Sequence, residues 1–244
     1  MSEAKPALGA PLLKVENLSA GYGAVPVLHG ISIDVHPAEM VALVGSNGAG
    51  KTTTLRALSR VIDCTGSVTF DGHDLTRMAP DQVFALGLVQ VPEGRQLFPR
   101  MTVRDNLLMG AYRRHDKADV ARDLDKVYTL FPRLGERKRQ LAGSMSGGEQ
   151  QMCAMARALM AAPKLMMIDE MSLGLAPVIV DQLMDILAEI RKHGVTVLLV
   201  EQDVQVALSG ADRAYVIETG AVALSGSAKD LIDDPAVQRA YLGL

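Results

Sequence analysis

Three short stretches combine residue types and spacings that could do chemistry. Gly45-Ser46-Asn47-Gly48-Ala49-Gly50-Lys51-Thr52-Thr53 fits the pattern G-x-x-x-x-G-K-[ST] at every fixed position. It lies between the apolar run Met40-Val41-Ala42-Leu43-Val44 and the helix-compatible Thr54-Leu55-Arg56-Ala57-Leu58, the strand, loop and helix order that the motif requires. Residues without side chains let the backbone curl so that successive N–H groups face a polyphosphate, and the helix N-terminus adds a partial positive charge. Lys51 would reach the β- and γ-phosphates, and the Thr52 hydroxyl would ligate Mg²⁺. The expectation is a nucleoside triphosphate site.

The second stretch is Lys164-Leu165-Met166-Met167-Ile168-Asp169-Glu170. Apolar residues ending in two carboxylates describe a buried strand that delivers acid groups to its C-terminal edge, where α/β sheets hold their ligands. The third is Ser144-Met145-Ser146-Gly147-Gly148-Glu149-Gln150-Gln151, ahead of a long helix through Leu159. A helix opened by a serine and two glycines is a second anion cradle. One triphosphate hardly needs two cradles from one chain. Two chains facing each other do, each nucleotide being clamped between one subunit's phosphate loop and the other's glycine helix.

The elements that must position these groups follow from periodicity. Leu13 to Leu18 and Ile31 to Val35 alternate as strands, joined across the turn-like Ala20-Gly21-Tyr22-Gly23. Tyr22 on that turn could stack against adenine; taken alone, a turn tyrosine half-packed on the surface accounts for it equally well. Gly66 to Phe70 reads as a strand, Asp71-Gly72 as a hairpin turn, and Gly87 to Val91 as a strand leading into Pro92-Glu93-Gly94-Arg95. Between Thr102 and Gln140 the period becomes helical, with a capped start at Thr102-Val103-Arg104-Asp105 and an amphipathic helix from Ala118 to Phe131. This block reads as a helical insertion, and Arg137-Lys138-Arg139 within it as a solvated face. Ile179, Leu183, Leu187 and Ile190 form a core stripe on one helix. Val195 to Val200 is another buried strand, and Val216-Ile217-Glu218 with Ala221 to Leu224 closes a hairpin across Thr219-Gly220.

Bulk properties narrow the classes. The 244 residues can bury a sizeable core, and 48% apolar with 22% charged residues is ordinary for a globular chain. A formal net charge of −3 gives no broad basic field, so no nucleic acid partner is expected. Cys64 and Cys153 are far apart and lack metal or disulfide spacing, and the five histidines are scattered, so no zinc site is expected. Residues 1–11 read as a flexible tail. The longest apolar runs fall far short of the roughly 20 residues that cross a bilayer.

With these motifs in place the chain resembles the ATP-binding cassette family over residues 12–243. The resemblance implies an α/β P-loop NTPase fold with a RecA-like core, an antiparallel β subdomain and a helical subdomain of about residues 94–162, within one ATP-binding domain of residues 12–244. It implies that Tyr22 stacks on adenine, that Asp169 holds Mg²⁺ and that Glu170 orients and polarises the attacking water. Ser146-Gly147-Gly148 matches the family signature, with Met145 and Glu149 in place of the commoner Leu and Gln, and the resemblance implies that Ser146, Gly147, Gly148 and Glu149 serve the opposite subunit's nucleotide. The implied cofactors are ATP and Mg²⁺.

Three positions depart from the family pattern. Glu93 stands where a Gln usually ligates Mg²⁺, and adds negative charge near the γ-phosphate. Gln202 replaces a switch His; its amide can donate to the γ-phosphate but cannot become cationic. Met171 replaces the proline that usually follows the catalytic Glu, so Glu170 must be positioned by packing. Val91-Pro92-Glu93-Gly94-Arg95, Ser172-Leu173-Gly174-Leu175-Ala176-Pro177, Val200-Glu201-Gln202 and the ending Ala240-Tyr241-Leu242-Gly243 resemble the ATP-binding subunits of branched-chain amino acid importers. That implies a paralogous second cassette or a second copy of this chain, two transmembrane permease subunits, a periplasmic binding protein acting indirectly, and a place on the cytoplasmic face of the inner membrane. A groove lined by Gly94, Arg95 and Phe98 is expected to receive a permease helix. Two other readings stay open: a soluble or export-linked homodimeric cassette ATPase, and a nucleotide-gated clamp that barely hydrolyses.

Overall fold

Strands in this chain alternate between two apolar faces, and the fold is built by covering both. The computed structural model describes residues 9–239; residues 1–8 of the expected tail and the ending Ala240-Tyr241-Leu242-Gly243 lie outside the described residues. Among the described residues ten strands occur in the order β1 Leu13–Tyr22, β2 Val25–Val35, β3 Met40–Val44, β4 Cys64–Phe70, β5 His73–Asp74, β6 Leu88–Val91, β7 Leu165–Asp169, β8 Thr196–Glu201, β9 Arg213–Glu218 and β10 Ala221–Ser227. The α-helices are α1 Lys51–Leu58, α2 Pro80–Ala85, α3 Val103–Gly110, α4 Lys117–Leu130, α5 Pro132–Glu136, α6 Gly147–Leu159, α7 Pro177–Lys192, α8 Val204–Gly210, α9 Ala228–Ile232 and α10 Pro235–Val237.

The strands form a six-stranded sheet, β10-β9-β3-β8-β7-β6, and a four-stranded antiparallel sheet, β2-β1-β4-β5. Within the larger sheet only β10 runs antiparallel to its neighbour. Its strands β3, β7 and β8 are buried along their whole length, and successive residues of one strand enter different cores. Leu165 and Met167 of β7 join a cluster with α1 and the antiparallel sheet, whereas Met166 and Ile168 join one with α6 and α7. Ala42 and Val44 of β3 pack with α8 and α9 in a third. On α7 the buried stripe is Val180, Leu183, Leu187 and Ile190, each contributing about 2 kcal/mol of apolar burial. Ile179 is only partly buried against the same core.

The α/β class, the parallel core, the antiparallel sheet and the helical block from α3 to α6 agree with the sequence reading. Thr102 caps α3, its hydroxyl accepting from Asp105 N at 3.1 Å. One placement is corrected. Tyr22 is the last residue of β1, paired with Val25, and the hairpin turn is Gly23-Ala24. Irregular pairing of β1 between Val15 and Gly21 interrupts the period of two, which made Ala20-Gly21 look like a turn. Arg137 and Lys138 are not simply solvated either. Arg137 Nε pairs with Glu149 at 2.7 Å, and Lys138 Nζ lies 4.2 Å from the centre of the Tyr128 ring.

Candidate active site

The sheet brings the first two motifs to one edge because β3, β8 and β7 are adjacent and parallel, so their C-terminal ends meet. β3 ends at Val44 and the chain curls through Gly45 to Gly50 into α1. Gly45 must lack a side chain, since a Cβ there would come within 2.3 Å of the Ile217 carbonyl oxygen. Gly50 caps α1 at φ 108, a left-handed geometry that other residues avoid. The loop is pinned from outside by Gly220, in the β9–β10 hairpin, whose N–H donates to Ala49 O at 2.9 Å.

Lys51, 4% exposed, donates to Gly45 O at 2.9 Å and Ser46 O at 3.3 Å and pairs with Glu170 Oε1 at 3.3 Å. Thr52 Oγ1 donates to Asp169 Oδ1 at 3.3 Å. The two motifs, more than a hundred residues apart in sequence, are thus hydrogen-bonded to each other. A cleft lined by Asn47, Gly48, Gly50, Lys51, Thr52 and Thr53 also takes in Glu93, Glu170 and Gln202. These candidates converge.

Asp169 is buried, and its Oδ2 has no hydrogen-bond partner. Burial, with lesser pushes from Glu170 and Glu93, raises its carboxyl to about 6 against the pull of Thr52 and Lys51. Between the ordinary carboxylate range and about 6 the folded chain holds a proton that the unfolded chain releases. The ionised form above that range therefore lowers stability, and a bound cation would relieve it. An orphaned oxygen beside a hydroxyl and Glu93 is an all-oxygen donor set, which suits a hard cation such as Mg²⁺. Among the described residues no cluster of three or more His, Cys, Asp or Glu could hold a metal unaided. A cation held here would need further oxygen ligands from outside the chain, an arrangement that suits Mg²⁺.

Tyr22 and the third motif stand apart from this cleft. Tyr22 lines a neighbouring hollow with Ile62 and Cys64, and its hydroxyl accepts from Arg56 Nη1 at 2.9 Å. Ser146 caps α6: its hydroxyl faces Glu149 N at 3.4 Å while its own N–H donates to Glu149 Oε2 at 3.0 Å. Burial opposes it, yet the bonds from Ser146 and the charge of Arg137 hold the Glu149 carboxyl below its usual range. Ser146, Gly147, Gly148 and Glu149 are absent from the lining of the phosphate-loop cleft of their own chain.

The loop after β6 is bolted to α6. Arg157 donates from Nη1 to Gln96 O at 2.8 Å and from Nη2 to Arg95 O at 3.3 Å, where Arg95 and Gln96 both have positive φ. A separate groove is lined by Phe84, Phe98, Met109, Tyr112 and Arg157. Phe98 is in its lining, and Gly94 and Arg95 are not.

Sequence reasoning passed over Glu201 as a site group. It is 1% exposed at the end of β8, and both its oxygens accept from Ser172. The available signal was an acid closing an otherwise apolar strand next to the one that ends in Asp169.

Residues 28–172 match a family model described as ABC transporter. Over 95% of this chain and the whole of the relative, the sequence is 46% identical to the high-affinity branched-chain amino acid transport ATP-binding protein BraG of Pseudomonas aeruginosa. It is 33% identical, over 96% of this chain and 99% of the relative, to a probable branched-chain amino acid transport ATP-binding protein LivF of Archaeoglobus fulgidus. A solved ATP-binding cassette of an ABC transporter in its ADP conformation superimposes with a TM-score of 0.85 at 26% identity, covering 97% of this chain and all of that one.

Proposed function

Because the chain belongs to the ABC transporter family and is an ATP-binding subunit that hydrolyses ATP, we propose that it powers an importer for branched-chain or related hydrophobic amino acids. The observation that carries this reading is its whole-length similarity to transport ATP-binding proteins of that substrate class.

In the proposed mechanism Lys51 exchanges its bonds to Gly45 O and Ser46 O for the β- and γ-phosphates, and the amides from Gly45 to Thr53 cradle the rest. Thr52, Asp169 and Glu93 would hold Mg²⁺, which when bound would neutralise phosphate charge. Glu170 orients the attacking water and takes its proton. Gln202 donates its amide to the γ-phosphate, and Tyr22 stacks on adenine. Ser146 to Glu149 act on the nucleotide of the facing cassette, a paralogue or a second copy, so ATP closes the pair and hydrolysis reopens it. Residues of about 94–162 form the helical arm, and the tie between Arg157 and the Glu93 loop makes it respond to the site.

Among the described residues no helix is long and apolar enough to cross a membrane. By its similarity to transport ATP-binding proteins the subunit is proposed to sit on the cytoplasmic face of the membrane, held by two permease subunits that a periplasmic binding protein supplies. The groove holding Phe98 is proposed to receive a permease helix, since Phe98, Met109 and Tyr112 are exposed apolar groups on it. Replacing Phe98 with Ala should lower transport by the assembled complex about tenfold, the scale of a central interface anchor, and leave ATP affinity unchanged. Collapse of nucleotide affinity in calorimetry would refute that placement.

The function itself is tested by tagging the chain in its host and identifying what co-purifies from gently solubilised membranes. Two multi-spanning proteins and a sister cassette are expected. Recovery of the chain alone, with no loss of branched-chain amino acid uptake on its deletion, would overturn the importer.

A further inference from the structure

We infer that Glu201 is a positioning residue for the catalytic carboxylate, an ionisable clamp that grips Ser172 and so holds the turn carrying Glu170. This rests on the reading of Glu170 as the base. The chain leaves β7 through Glu170 at φ 46, a left-handed geometry unusual for a residue with a side chain. No proline ring fixes this turn, because the next residue is Met171, which is buried.

Two ties to the end of β8 hold the turn instead. Glu170 N donates to Val200 O at 2.8 Å. One residue further on, Glu201 Oε1 accepts from Ser172 N at 3.0 Å and Oε2 accepts from Ser172 Oγ at 2.7 Å. Glu170 is thus fixed from both sides by consecutive residues of one strand. Misplacing such a carboxylate by a fraction of an ångström slows the attack it directs.

The surroundings of Glu201 make the grip sensitive to protons. It is 1% exposed, and among the described residues Ser172 supplies its only hydrogen bonds. The charged groups facing it are Glu170 on the turn and Asp203 at the cap of α8, both negative. The nearby cation, Lys51, is engaged by Glu170 and by loop carbonyls. Burial above all, with Glu170 and Asp203 adding to it, pushes the Glu201 carboxyl up to about 7, although the Ser172 bonds pull it down. Above that value the carboxylate accepts two charge-assisted bonds. Below it one oxygen carries hydrogen, the bonds become neutral and are roughly half as strong, and the turn loosens.

The test measures phosphate release by the full chain with saturating Mg·ATP from about pH 5.5 to 8.5. The wild type should show an acid limb near neutrality. Glu201→Gln copies the protonated acid, with one acceptor and one donor. Its kcat at about pH 8 should fall about tenfold, with KM for ATP unchanged and the limb near pH 7 gone, leaving only the lower limb that belongs to Asp169. Ser172→Ala removes only the hydroxyl bond and should lower kcat about threefold while keeping the limb. Melting supplies a readout that needs no turnover. Folded Glu201 titrates above its unfolded value, so the wild type loses stability as pH rises from the ordinary carboxylate range to about 7. Glu201→Gln should therefore gain a few degrees of melting temperature on the wild type as pH rises from about 5.5 to about 8.

An acid limb near pH 7 that survives in Glu201→Gln, or a melting difference that ignores pH, overturns the clamp and leaves the ATPase reading intact. A wild type that binds Mg·ATP but releases no phosphate at any pH overturns Glu170 as base, and the clamp on it as well.

Discussion

Replacing Glu170 with Gln will abolish phosphate release, by about 10³-fold, while two cassettes still associate when ATP is added. Glutamine keeps the shape, so the turn at φ 46 and the Glu170 N bond to Val200 O survive. What disappears is the ability to take a proton from water. The change also frees Lys51 from a counter-charge at 3.3 Å, so ATP affinity should hold or rise. Single-turnover phosphate release and ATP-dependent dimerisation by light scattering give the two readouts. Unchanged release would remove Glu170 from the role of base; lost dimerisation would mean that its charge is needed for binding.

The second large effect is expected at Lys51. Its ammonium sits 4% exposed between two loop carbonyls and Glu170, a cation that has already been desolvated and aimed. Lys51→Ala should weaken ATP binding about 100-fold, or about 3 kcal/mol. Calorimetry is the suitable measurement, because the chain contains no tryptophan to report binding. Arginine at this position should not restore affinity, since a planar guanidinium cannot occupy a pocket shaped around a compact ammonium. A Lys51→Ala chain that binds ATP as the wild type does would displace the nucleotide from this loop.

Spacing along the chain was enough to find the phosphate loop, the strand ending in Asp169-Glu170 and the capped start of α6. Each is a local device: glycines where the backbone must curl, apolar runs where a strand is buried on both faces, Ser146 and Glu149 three residues apart at a helix end. The same local logic failed at Tyr22, where irregular pairing with β2 broke the alternation.

What the sequence by itself determined, then, is the set of chemical groups and the elements carrying them, because hydrophobic period, capping and turn chemistry act between neighbours in the chain. Only the tertiary structure decided which groups share a site. The parallel order β3-β8-β7 brings Thr52 to Asp169 and Glu201 to Ser172, while the glycine helix of the same chain is left outside the cleft. Burial then set the charge states: Asp169 and Glu201 are ordinary acids by composition, and their removal from water raises their proton affinity.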